Sequence, residues 1–312
     1  MLKTNQRARA FYYIALSSTV ALINNMMKVA YNSPRPFWEF PGVWPLYCQE
    51  GFGCPSGHTM YCIALPTAIA LDLKHSNPHG KLLQIVALLL TLFFGYEQAW
   101  TRVVLGVHTI DQVLMGALVG LWIAFSFEYI IRRPLMDHIM RLNLNKPDEL
   151  YPKTSLAIIA TLLTAVWLGF ELIYYWATMC LPFPPKHEYI PPDPNWLSTI
   201  NAKCNPNNNP DFHYQFASFE VPEFGEVGIP YGAYIGILLQ TQLFGGRKHF
   251  QGPTQKKGLK LLGRAIGFLI IALPIRVLLI TIDADDKLVF RLFFQVFLPS
   301  MLITLLMFGF MD

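Results

Sequence analysis

Apolar runs of about twenty residues recur along this 312-residue chain, each long enough to cross a bilayer as a helix. Eight can be read, at about 10–31, 58–73, 83–103, 107–131, 154–180, 229–245, 262–282 and 289–310. The fold class that follows is all-α, a polytopic transmembrane helical bundle of about eight spans. Composition agrees: 14% of residues are charged, whereas a soluble domain carries about a quarter. The net charge of +4 is small, and no basic run or aromatic-interleaved patch offers a surface for nucleic acid. Basic residues precede the first apolar run, as in a signal peptide. No clean small-residue cleavage site follows, and the run carries Lys28, so it reads as a retained helix.

Loop charges set the sidedness. With eight spans, the N-terminus and the loops at 74–82, 132–153 and 246–261 share one side and hold most of the lysines and arginines. The opposite side holds 33–57, 104–106, 181–228 and 283–288. Outside the motifs described next, its only cations are Lys186, Lys203 and Lys287, among many acids. The positive-inside rule puts the first side in the cytosol and the second in the lumen or exterior. The 181–228 segment is rich in Pro and Asn and too long for a tight turn; it reads as a cap or as partly disordered. Five cysteines lack metal-ligand spacing. A Cys180–Cys204 disulfide is compatible with a loop in an oxidising compartment.

Three short segments at the non-cytosolic helix ends carry chemistry. The first is Lys28, six residues, then Arg35-Pro36. The second is Gly51-Phe-Gly-Cys-Pro-Ser-Gly-His58, and the third Thr101-Arg102, five residues, then His108. Charges at the ends of apolar helices are costly and usually functional. Two guanidinium forks, an ammonium, the Ser56 hydroxyl and helix N-terminal amides at Gly57 make a site for a dianion. His58 and His108 can supply a proton donor and a nucleophile. Asp111 lies three residues after His108, on the same face of a helix, where it could hold the imidazole through Nδ1.

These three segments resemble the tripartite signature of the type 2 phosphatidic acid phosphatase superfamily, whose core is shared with vanadium-dependent haloperoxidases. The resemblance covers about residues 10–131. It implies a metal-independent phosphomonoesterase, without cofactor, working through a phosphohistidine. His108 would be the nucleophile and His58 the acid that protonates the leaving oxygen; Lys28, Arg35, Ser56, Gly57 and Arg102 would hold the phosphoryl oxygens. The resemblance divides the chain into a phosphatase core, 1–133, and a C-terminal transmembrane extension, 134–312, with the 181–228 loop outside the cytosol. Three departures stand out. The third motif begins Thr-Arg where the family usually has Ser-Arg. The family's carboxylate usually falls four residues after the histidine, where this chain has Gln112; either Asp111 or Gln112 could orient the ring. The family core also usually has two more helices before the first motif. Either C-terminal helices replace their packing here, or the native start lies elsewhere.

The substrate implied is a lipid phosphate monoester or diphosphate, with its chains in the bilayer. The C-terminal extension resembles longer bacterial members and the sphingosine-1-phosphate phosphatase branch. A glucose-6-phosphatase-like hydrolase of a soluble ester is the first alternative, supported by Arg-Pro-Phe-Trp at 35–38 and by His-x3-Gln-Val at 108–113. A catalytically silent structural subunit is the second. Phe37, Trp38, Phe40 and Trp44 could wall a substrate pocket or form an interfacial belt. Membrane lipids are the expected surroundings, in an endomembrane such as the endoplasmic reticulum or in the plasma membrane. A homo-oligomer or a larger membrane complex is compatible with the sequence. The mechanism implies a bell-shaped pH profile, insensitivity to EDTA and inhibition by vanadate.

Overall fold

The computed structural model describes residues 2–76, 80–144, 193–210, 212, 214, 216, 228–243 and 298–310. Every regular element among the described residues is helical, and none is a strand. In chain order these are α1 (Leu2–Tyr31), α2 (Pro36–Glu39), α3 (Gly57–Ser76), α4 (Lys81–Val104) and α5 (Ile110–Ser126). A π-helical turn, Phe127–Ile131, leads into α6 (Arg132–Leu144); then come α7 (Pro194–Cys204), α8 (Gly228–Leu243) and α9 (Leu298–Phe310). Among the described residues, two helices are long and apolar enough to cross a membrane, Lys81–Val104 and the continuous run Ile110–Leu142. The second extends beyond the expected 107–131 because the π turn carries the helix on into α6. The expected spans at 154–180 and 262–282 lie outside the described residues, as do Cys180 and the 246–261 loop.

Local sequence explains where the helices stop. α1 ends at Asn32, whose φ of 47° is left-handed, a conformation Asn tolerates at a helix C-terminus. Two prolines, Pro34 and Pro36, then force extended backbone. Arg35 has φ −83° and ψ 153°, and Pro36 opens α2, where its missing N–H costs nothing. Gly106, with φ 71°, ends α4 in the same left-handed way. The Gln112 side chain reaches back to accept from the Thr109 N–H, which caps the start of α5.

Close helix approach depends on small residues. A Cβ built on Gly116 would meet the Ser56 carbonyl oxygen at 2.5 Å, and one on Gly120 would meet the Met60 carbonyl at 2.6 Å. This small-xxx-small row lets α5 lie directly on the α3 backbone. At the other end of that pair, Asp72 and Glu128 are both buried. Arg132 bridges them, with Nη1 3.0 Å from Glu128 and Nη2 on Asp72. His75 also meets Glu128.

The chain divides into two units, each discontinuous in sequence. One comprises 16–133 with 183–224 and holds all three motifs; the other comprises 1–15, 134–182 and 225–312. Within the latter, Gly232 brings α8 against the Met301 carbonyl of α9. His138 Nε2 lies 2.9 Å from the Tyr234 hydroxyl.

Candidate active site

Backbone turns gather the motif residues. Gly106 reverses the chain so that the His108 N–H returns to the Arg102 carbonyl, at 3.3 Å. The five-residue spacing thus sets Arg102 and His108 side by side across one turn. A Cβ at Gly106 would meet the Trp44 carbonyl at 3.1 Å, in a backbone region that disfavours side chains. The second motif is held from both directions. The Gly53 N–H donates to the Ser33 carbonyl at 2.8 Å, and the Ser56 N–H donates to the Gln112 carbonyl at 3.0 Å. The latter bond ties the start of α3 to the start of α5.

His108 is buried, and its ring is held at both nitrogens. Nδ1 lies 3.2 Å from Gln112 Oε1. The same oxygen accepts from the Thr109 N–H at 3.3 Å, so the residue that caps α5 also meets the histidine. The Gln112 Nε2 atom donates to the Pro34 carbonyl at 2.7 Å and to Ser33 Oγ at 3.2 Å. These bonds leave the amide oxygen facing the ring. An oxygen can only accept there, so Nδ1 carries the proton and Nε2 the lone pair. Arg35 Nη1 lies 3.2 Å from that Nε2, as a donor requires. Burial first, then the Arg35 and Lys28 charges, hold the His108 pKa well below the ordinary 6.5, against the opposing bonds to Gln112 and Gly53.

Arg35 is fully buried. Nε donates to the Gly51 carbonyl at 2.8 Å, Nη1 to Val107 at 3.0 Å and Nη2 to Glu50 at 2.7 Å. One guanidinium therefore joins the first motif to the start of the second and to the third. Lys28 is buried at the end of α1. Arg102, Lys28 and Arg35 all lie within electrostatic reach of His58. His58 is exposed at the second position of α3. The nucleophile position is thus enclosed and the proton-donor position open. Ser56 is fully buried with Oγ 3.0 Å from Thr59 Oγ1. Gly57 faces Asn24 of α1, where a Cβ would come within 2.9 Å of the amide. Arg102 donates to the Tyr47 hydroxyl, and Tyr47 in turn donates to Gln49 Oε1 at 2.8 Å. Asp111 is exposed. Of the two residues able to orient the ring, the structure sets Gln112 against it.

Residues of the 181–228 cap pack beside this site. Trp196 and Ile200 of α7, with Tyr214 and Phe216, pack around Phe37, Trp38, Phe52 and Val107. Trp38 sits at the centre, its ring 5.4 Å from Trp196, 5.7 Å from Tyr214 and 5.1 Å from Phe216. Phe37 and Trp38 are therefore core residues, while Phe40 and Trp44 are exposed. Lys203 Nζ donates to the Phe37, Phe40 and Val43 carbonyls at 3.0, 2.7 and 2.9 Å. The Tyr214 hydroxyl donates to the Gln49 carbonyl. The disulfide expectation needs correction: Cys204 pairs with Cys48, Cα atoms 5.8 Å apart. The reason is tertiary, since α7 ends beside the 36–52 loop. Sequence reasoning missed Lys203 and Tyr214 because both sit in a polar segment that reads as solvated.

Residues 8–134 match the family model of the PAP2 superfamily. Among curated proteins, the chain is 25% identical over 113 residues to dolichyldiphosphatase 1 of Dictyostelium discoideum, covering 36% of this chain and 49% of that protein. It is 32% identical over 122 residues to phosphatidylglycerophosphatase B of Bacillus subtilis (strain 168), covering 37% of this chain and 56% of that one. The matched region thus spans about half the length of these relatives. No solved structure matches the chain.

Proposed function

We propose that this chain, whose residues 8–134 match the family model of the PAP2 superfamily, is a membrane phosphatase acting on a lipid phosphate at the non-cytosolic face, through a phosphohistidine. The observation that carries this reading is the buried His108 ring, held between Gln112 at Nδ1 and Arg35 at Nε2. His108 Nε2 attacks phosphorus, and the bond from phosphorus to the lipid oxygen breaks. His58 gives its proton to that oxygen, and the alcohol leaves. Arg35 exchanges its hydrogen bond to Nε2 for one to a phosphoryl oxygen. Arg35, Lys28 and Arg102, with Ser56 and the Gly57 amide, neutralise the charge on the equatorial oxygens. Water then attacks the phosphohistidine with His58 taking its proton, the N–P bond breaks, and inorganic phosphate is released. Gln112 acts as a positioning residue that fixes the tautomer throughout.

The names of both curated relatives support a lipid phosphate as substrate. The exposed apolar surface of α4, including Leu92, Phe93, Tyr96 and Trp100, supports a site at the edge of a bilayer. The Cys48–Cys204 bridge beside the motif loop favours an oxidising compartment on that side, as does the loop-charge asymmetry. The test is phosphate release by purified wild type and His108→Ala in detergent micelles. The panel is phosphatidate, lysophosphatidate, sphingosine 1-phosphate, a polyprenyl diphosphate and glucose 6-phosphate. Release that His108→Ala abolishes, best with a lipid, is expected. Equal release by the variant overturns the phosphohistidine, and preference for glucose 6-phosphate overturns the lipid assignment.

A further inference from the structure

We infer that cap residues 193–210, together with Tyr214 and Phe216, form a clamp that positions Arg35, with Lys203 and Tyr214 as positioning residues of the phosphoryl site. The inference rests on the phosphatase reading above and gives a role to a part of the chain that the motifs do not include.

α2 is four residues long, too short to hold its shape alone. Arg35 is the residue immediately before it, so the orientation of α2 sets where the guanidinium begins. The cap grips α2 in three ways. Lys203 places its ammonium on the Phe37, Phe40 and Val43 carbonyls, at the C-terminal end of the helix and just beyond. A cation there also complements the helix dipole. Trp38, the middle of α2, is enclosed by Trp196, Tyr214 and Phe216. The Cys48–Cys204 bond fixes the adjoining loop to the end of α7.

The second half of the device is the far side of the guanidinium. Tyr214 donates to the carbonyl of Gln49, and the next two carbonyls, Glu50 and Gly51, accept from Arg35. Burial pushes the Tyr214 hydroxyl above the usual phenol range, which keeps it a donor at physiological pH. The cap therefore holds both the backbone that carries Arg35 and the carbonyls that receive it. Four donor contacts orient a fork whose Nη1 stands 3.2 Å from the attacking nitrogen. A phosphoryl site needs that placement to within about half an ångström.

The test uses the full-length protein in detergent, with vanadate as the probe, its affinity read by calorimetry so that no turnover is required. Tyr214→Phe and Lys203→Met are compared with wild type, Arg35→Lys and the double variants. Each single variant is expected to weaken vanadate binding about tenfold, with Lys203→Arg recovering part of the loss. In the Arg35→Lys background, neither substitution should weaken binding further, because the group they position is already lost. Tyr214→Phe keeps the buried ring and therefore the fold, so it carries the test should Lys203→Met not fold. Unchanged vanadate affinity in Tyr214→Phe, or losses that add fully to that of Arg35→Lys, would overturn the clamp while wild-type turnover remained intact. Absence of His108-dependent phosphate release by wild type would instead remove the phosphatase reading on which the clamp rests.

Discussion

Oε1 of Gln112 lies 3.2 Å from Nδ1 of His108, while the neighbouring carboxylate of Asp111 is exposed. Gln112→Leu keeps the volume and removes the acceptor, so the ring loses both its tautomer and its aim. The expected result is a fall in kcat of about a hundredfold, with KM nearly unchanged. Asp111→Asn should leave turnover close to wild type. Gln112→Glu should not restore activity, because its carboxylate would face the Pro34 carbonyl where the amide now donates. Steady-state kinetics of the three variants checks this; a damaging Asp111→Asn beside a harmless Gln112→Leu reverses the assignment.

The lowered pKa of His108 makes a prediction about stability. The folded ring resists protonation, whereas the unfolded ring titrates near 6.5. As pH falls through that value the unfolded state binds the extra proton first, so the His108 contribution destabilises the fold progressively below it. Above it, both states are neutral and the contribution is flat. Tm measured from pH 8 to pH 5 should therefore fall less steeply for His108→Gln than for wild type. Parallel curves would mean that the ring is freely protonated in the fold. The same shift keeps the nucleophile neutral, so the acidic limb of the rate profile should not follow an ordinary imidazole.

The parts of this arrangement legible in the sequence are those set by local rules. Spacing set Lys28, Arg35, Ser56, His58, Arg102 and His108 at helix ends, and the structure has them there. Gln112 could not be separated from Asp111 by spacing, because positions three and four along a helix both lie near the first residue. The capping-box pattern Thr109-x-x-Gln112 was the signal that could have decided it, since a capping residue must turn back toward the N-terminus. Cys204 and Lys203 were not legible because their partners lie about 160 residues away. Only packing around Trp38 brings them together.

Arg132 lies between two buried carboxylates, Asp72 and Glu128, and contacts both. Arg132→Met would leave both acids buried without it, which costs about 3–5 kcal/mol. Replacing all three by apolar residues of similar size should recover much of that loss. Denaturation midpoints of the single and triple variants, measured in the same detergent, test the point. A triple variant no better than Arg132→Met would show that the cluster is held by something other than charge compensation.

Loss of the Cys48–Cys204 bond releases a long loop, since 156 positions separate its ends. Cys204→Ala should lower stability by about 2–5 kcal/mol. Peptide mapping without reductant should recover the Cys48 and Cys204 peptides joined, with Cys54 and Cys62 open to alkylation on unfolding. Recovery of Cys204 joined to any other cysteine would refute the pairing.

Gly116 links helix packing to chemistry. Its missing Cβ leaves room for the Ser56 carbonyl, and the Ser56 N–H is bonded to the Gln112 carbonyl one turn away on α5. The neighbour in the way is backbone, so Gly116→Ala must push α3 off α5. Overpacking of this kind costs about 1–3 kcal/mol, and the displacement is largest where the second motif begins. Gly120→Ala makes the same kind of clash against Met60, one turn farther from the site. The two variants should thus lose similar stability, while Gly116→Ala loses more kcat because it moves Ser56 and His58 relative to His108. Tm and kcat measured together separate the effects. Equal kcat in the two variants would mean that the start of α3 adjusts independently of its packing against α5.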